Sequence, residues 1–177
     1  MVQLAGLGYA IPGTVLAVGV FVPIAWLDNQ LIEMLSAFSI VSTGILKGSL
    51  AVMLLALAAR FLVVGFSPVD AALQRITPHH DEAARSLGLN SWSILKRLYL
   101  PLASGGILTG LLLVFVDVIK EMPITLMTRP FGWDTLAVRV FEMTSEGMWS
   151  RAALPSLLII LAGLVPVILL ARKSENA

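Results

Sequence analysis

Four stretches of this chain are apolar for long enough to cross a bilayer, and that constrains its fold more than any motif does. A hydrocarbon core of about 30 Å takes roughly 20 largely apolar residues as a helix, because each residue rises about 1.5 Å. Ala10–Leu27 and Ala152–Ala171 carry no charge, Leu98–Val116 is uncharged between Arg97 and Asp117, and Gly48–Phe66 contains only Arg60. Near a helix end an arginine can snorkel to the interface, so Arg60 does not disqualify its segment. Lipid offers no partner for unpaired backbone groups, and a barrel would show alternation in ten-residue units, so each stretch reads as a helix. The fold class is therefore all-α integral membrane protein with four transmembrane helices. A hydrophobic fraction of 58% against 13% charged residues agrees with this, and the net charge of +1 gives no basic face for nucleic acid. With no cysteine, disulfides and thiolate metal sites are excluded.

Between the second and third stretches lies the one long polar passage, SPVDAALQRITPHHDEAARSLGLNSWSILKRLYLPL, residues 67–102. Ser67, Pro68 and Asp70 form a helix-start signal, repeated by Thr77, Pro78, Asp81 and Glu82. These predict one short helix ending before Pro78 and a second over about Pro78–Leu87, stopped by a left-handed Gly88. Ser91 can cap a third, Trp92–Tyr99, with Pro101 marking entry to the next span. Arg60, Arg75, Arg85, Lys96, Arg97, Arg172 and Lys173 fall on the side of this loop, against Lys47, Lys120, Arg129, Arg139 and Arg151 opposite. That bias predicts a cytoplasmic loop and C-terminus, and four crossings put the N-terminus there too.

The other connections are less regular. Asp28–Lys47 reads as an outer connection whose middle, LIEMLSAF, forms an interfacial helix. Small residues in the first span (Gly6, Gly8, Gly13, Gly19) suggest close helix packing. Asp117, Lys120 and Glu121, followed by Pro123, fall at i, i+3 and i+4 and predict one shared helix face. They are either a polar pathway or a mutual ion pair capping the helix end. Asp134–Gly147 reads as an amphipathic helix with Leu136, Val140, Phe141 and Thr144 near one face. His79 and His80 point about 100° apart on a helix, so they read as solvated first-turn residues and not as metal ligands. Met122, Met127, Met143 and Met148 read as packing.

The order Glu82-Ala83-Ala84, three residues, Gly88, nine residues, Leu98 and then Leu100-Pro101 resembles the EAA loop of inner-membrane permeases in bacterial ABC importers. The run from Val114 to Glu142, the opening LGYAIPG and the passage GFSPV are similar to the ferric-iron group of those permeases. The resemblance implies a type I (MetI-like) permease fold, with residues 1–177 as one transmembrane domain and 67–102 as its cytoplasmic coupling loop. Permeases of this group resemble two fused halves, so the chain is expected to be the C-terminal part of a longer one.

It further implies a multi-pass inner-membrane subunit whose loop docks, through Glu82, Ala83, Ala84, Gly88, Leu89, Trp92 and Pro101, on a dimer of ATP-hydrolysing subunits. Asp117, Lys120, Glu121 and Pro123 are the candidate pathway or gate. Other implied partners are a periplasmic or lipoprotein substrate-binding protein and the rest of the permease or a second copy. The chain would bind no cofactor, ATP being used by the partner. Ferric iron is the expected substrate. Carriage of sulfate or molybdate, thiamine or polyamine stays open, as do an intramembrane enzyme and a structural subunit. No nucleophile with a base, phosphate-binding glycine loop or metal motif is evident, so no catalytic residue is expected.

Overall fold

A computed structural model describes residue 6, residues 8–37 and residues 44–175. The described elements are helices: α1 (Gly13–Ala37), α2 (Leu50–Leu73), α3 (Pro78–Ser86), α4 (Ser91–Ile119), α5 (Pro123–Thr128), α6 (Leu136–Ser145) and α7 (Trp149–Glu175). Four are long and apolar enough to cross a membrane, namely α1, α2, α4 and Trp149–Leu169 of α7. They correspond one to one with the four apolar stretches of the sequence.

The helix boundaries differ from the sequence expectation in four places, each for a local reason. The first span does not stop at Leu27, since α1 continues through Asp28 to Ala37. Leu31–Ala37 are therefore its last two turns instead of a separate interfacial helix, and Phe38 lies outside the described residues. The Ser67-Pro68 start signal is likewise absorbed, because α2 arrives already helical and runs on to Leu73. A capping signal starts a helix only where the preceding residues are not in one. In the third helix Asn90, not Ser91, is the cap, its side-chain oxygen accepting from the Ser93 N–H at 2.8 Å. Pro101 does not interrupt the helix. It lacks an N–H and its ring crowds the carbonyl four residues back, and the turn before it, Leu95–Tyr99, widens to π geometry and takes up the mismatch.

α2 and α4 are joined along their length by backbone contact. A Cβ added at Gly110 would lie 2.4 Å from the Gly65 carbonyl oxygen. One added at Gly106 would lie 2.4 Å from the Pro68 oxygen and 2.8 Å from the Ala72 Cβ. The Gly106-x-x-x-Gly110 spacing puts both on one face, where missing side chains let the helices touch. Gly8 meets Ala59 in the same way, and Gly13 meets the Arg60 guanidinium, whereas Gly6 and Gly19 face open space. The main apolar core, Ala17, Met53, Ala56, Leu57, Phe61 and Ile124, shows α5 folded back between α1 and α2.

At the end of the bundle away from the 67–102 loop, Asp28 pins the return of the chain. Its fully buried carboxylate accepts from the Ile45 N–H at 2.8 Å and the Leu46 N–H at 2.7 Å, with Lys47 Nζ at 3.9 Å. Such a concavity of consecutive N–H groups favours an anion. Asp28→Ala leaves two part-buried donors without their acceptor, whereas Asp28→Asn keeps an acceptor oxygen. Thermal unfolding in detergent should therefore rank wild type above Asp28→Asn, and Asp28→Ala lowest. The exposed Glu33→Ala should leave the melting temperature in place.

Candidate functional site

Two polar regions lie at the ends of the joined α2–α4 pair. The first is the loop between them. Thr77 precedes α3, and His80 Nδ1 accepts from the Thr77 N–H at 3.2 Å, so this imidazole is a helix cap and not merely a solvated side chain. His79 turns the other way, 3.5 Å from Glu82. Among the described residues no three His, Cys, Asp or Glu side chains come together to hold a metal. Asp81 accepts from Arg85 at 2.9 Å one turn on and raises the guanidinium above its ordinary pKa.

The glycine stop forms as the sequence predicts. Gly88 has φ +76°, its N–H donates to the Arg85 carbonyl at 2.9 Å, and the Leu89 N–H donates to the Ala84 carbonyl at 3.2 Å. This paired arrangement satisfies the last carbonyls of α3 while turning the chain sharply into α4.

The turn divides the candidate docking residues between two faces. Glu82, Ala83 and Trp92 face outward with Pro101, and Lys96 stacks over the Trp92 ring at 4.8 Å. Ala84 is buried, together with Ile94 at the start of α4, and Leu89 is half-buried. Ala84 thus serves the corner itself, while Ala83 presents the small surface. Leu87, which the sequence reading passed over, is 81% exposed, more than any other large apolar side chain of the loop. Leu87 is the cap residue just past α3, its N–H donating to the Ala83 carbonyl at 3.1 Å, which keeps it one turn on from Ala83.

The second region is a break in the third long helix. α4 ends at Ile119, and α5 begins at Pro123, whose fixed φ and missing N–H suit the first helical position. Asp117 Oδ1 and Lys120 Nζ pair at 2.9 Å, and the Tyr9 hydroxyl donates to Asp117 Oδ2 at 3.4 Å. Because the helix has ended, Glu121 leaves the face it was expected to share with them. It is buried, with Oε1 accepting from the Ile124 N–H at 3.0 Å and Oε2 lying 3.3 Å from Arg60 Nε. The last distance makes an ion pair, although the Nε–H is not aimed along a hydrogen bond. Arg60 Nη1 also donates to the Ile11 carbonyl at 3.3 Å, and the guanidinium lies over Phe61 at 5.6 Å.

Arg60 is accordingly held by protein partners and is not a free side chain reaching out of its helix. It sits ten residues, about 15 Å, inside α2 from Leu50, with its side chain only 16% exposed. A charge within a membrane-spanning helix faces protein because leaving it in lipid would be costly. Its partner was not evident in sequence, since position 121 is brought to position 60 only by the antiparallel packing of α2 and α4.

Beyond the break, Arg129 pairs with Asp134 and with Glu142 at 2.8 Å, and Arg139 pairs with Asp134 at 2.9 Å. Lys47, Arg129, Asp134 and Glu142 line a crevice of about 640 Å³. The expected amphipathic helix is present as α6, but it buries Ala137 and Val138 and leaves Phe141 exposed. Its buried positions are thus one step from the predicted face, and the long α7 packs against it. Of the scattered methionines, Met127 packs on the core.

The profile of the family described as "Binding-protein-dependent transport system inner membrane component" matches residues 4–173. The chain belongs to this family. It is 27% identical over 164 residues to the Fe(3+)-transport system permease protein FbpB 2 of Haemophilus influenzae, covering 93% of this chain and 29% of that protein. It is 29% identical over 123 residues to a putative 2-aminoethylphosphonate transport system permease protein, PhnV, of Salmonella typhimurium, covering 68% of this chain and 46% of that one. A probable molybdenum ABC transporter permease protein of Haloferax volcanii is 37% identical over 118 residues, 64% of this chain and 40% of the relative. The chain thus spans less than half the length of these curated relatives. They are transport permeases and not enzymes, in agreement with the reading of the chain as a transport subunit. Four apolar helices and family membership identify a multi-pass inner-membrane protein with the all-α permease fold.

Proposed function

We propose that this chain forms part of the permease of an ATP-driven importer. The α3 corner docks on the ATP-hydrolysing subunits, and ferric iron is the solute carried. The observation that supports this best is the continuity between the two polar regions. α2 runs directly into the loop and α4 directly out of it, and their glycine contact makes the pair one stiff body. A displacement imposed at Glu82, Ala83, Leu87 and Trp92 is therefore delivered to the break at the other end of the pair, which carries Asp117, Lys120, Glu121 and Pro123. Close-packed interiors transmit such displacements because they do not compress. The loop and C-terminus are cytoplasmic in this reading, and a substrate-binding protein delivers solute from the other side.

Iron is favoured because the similarity to the ferric permease runs over nearly the whole chain, whereas the 2-aminoethylphosphonate and molybdenum relatives match about two thirds of it. Ferric iron is a hard cation suited to oxygen donors, and Asp117 supplies a partly exposed carboxylate near the break. A second reading, an oxyanion or phosphonate, is supported by Lys120, the most exposed charge of the break. The test uses the full-length permease with its neighbouring subunits in vesicles. An ATPase subunit should co-purify, and ATP should drive uptake of labelled ferric iron without competition from molybdate or 2-aminoethylphosphonate. Uptake of either competitor in place of iron overturns the substrate, and failure of any ATPase to co-purify overturns the coupling reading.

A further inference from the structure

We infer that Arg60 is a positioning residue, a latch that holds the α4–α5 break shut through Glu121; this rests on the permease reading above. Three observations converge on it. Arg60 stands on α2, within the stiff pair joined to the loop, yet its guanidinium reaches two other parts of the chain, the Ile11 carbonyl ahead of α1 and the Glu121 carboxylate at the break. Glu121 in turn divides its oxygens between α2 and α5: Oε2 faces Arg60, and Oε1 accepts from the first N–H of α5. The junction between α4 and α5, Lys120 to Met122, is closed on the α4 side by a single tight turn, the Glu121 N–H donating to the Val118 carbonyl at 3.0 Å.

α5 is therefore held in the core by two kinds of contact. Ile124, Thr125 and Thr128 supply packing, and the Arg60–Glu121 pair supplies a charge clamp that only α2 can tighten or release. Such a pair suits a switch better than a weld, because its Nε–H is not aimed at the carboxylate and the remaining partners, a carbonyl and an aromatic face, let the guanidinium rotate. When the loop shifts α2 relative to α5, the pair separates and the break opens. Breaks between helices are where transporters place movable polar groups.

The test uses the full-length permease with its ATPase in nanodiscs, in a cysteine-free background carrying Thr128→Cys, and a membrane-impermeant thiol reagent. Thr128 is 1% exposed, so the introduced thiol reports opening of α5. Arg60→Met should raise the labelling rate on the order of tenfold or more, because the closed state loses its clamp. Glu121→Gln should do the same, although it keeps an acceptor for the Ile124 N–H. Substrate-independent ATP hydrolysis should rise in both.

The deciding variant is Arg60→Met with Glu121→Gln, which leaves no unpaired charge. A latch predicts that it labels as fast as the single variants. If instead the double variant regains wild-type protection, the single effects came from stranded charges and the latch is overturned, as it is if all variants label like wild type. The permease reading is judged separately by ATP-driven uptake in the otherwise wild-type complex.

Discussion

Gly110→Leu is expected to separate α2 from α4 and to abolish both the stable fold and transport. Gly65 and Gly110 meet backbone to backbone, and an added Cβ would stand 2.4 Å from a carbonyl oxygen, a distance real side chains do not adopt. Had the obstacle been the end of a long side chain, a rotamer change would relieve it. A helix backbone cannot move alone, so the axes must part, which also opens the neighbouring contact of Gly106 with Pro68 and Ala72. Overpacking costs about 1–3 kcal/mol where neighbours can adjust and more where they cannot. In lipid no hydrophobic force redraws the helices together, so the lost close packing has no substitute. Gly163→Leu in α7 is the control, since a Cβ there meets nothing within 4 Å. Thermal unfolding in detergent should show Gly163→Leu near wild type and Gly110→Leu strongly destabilised. Equal stability of the two would mean that α2 and α4 are not held by glycine contact.

How far the sequence alone could lead differs between the spans, the loop and the break, for physical reasons. The apolar stretches were legible because lipid admits little besides a helix of sufficient length. Gly88 was legible because a left-handed residue after a short helix has few alternatives to glycine. The boundaries at Ser67, Ser91 and Pro101 were misread because capping and proline signals are local, and a helix arriving under tertiary support overrides them. Asp28 and Arg60 were missed for a related reason. Each looks like a solvated or snorkelling charge until a distant segment, Ile45–Leu46 or Glu121, is brought against it. The Gly106-x-x-x-Gly110 spacing was in plain view, yet only the facing Gly65 and Pro68 give it a role.

Gly88→Val is expected to leave insertion and the α2–α4 pair intact while removing ATPase association and uptake. Position 88 has φ +76°, a conformation that costs an L-residue about 1–2 kcal/mol and a β-branched one more. A Cβ there meets nothing within 4 Å, so the strain is confined to the backbone and no neighbour is pushed. The chain can relieve it by moving φ to a negative value. Doing so breaks the paired hydrogen bonds from Gly88 and Leu89 to Arg85 and Ala84, and it swings α3 away from the start of α4. Glu82, Ala83 and Leu87 then no longer present one surface with Trp92. Asn, which tolerates the left-handed region, should retain much of the function at this position, whereas Ala should fall between Asn and Val. The measurement is pull-down of the ATPase subunit together with ATP-driven uptake in the same membranes, for the series Gly, Asn, Ala and Val. Loss in that order at constant membrane content is the expected result. Wild-type association and uptake in Gly88→Val would show that this corner does not carry the coupling.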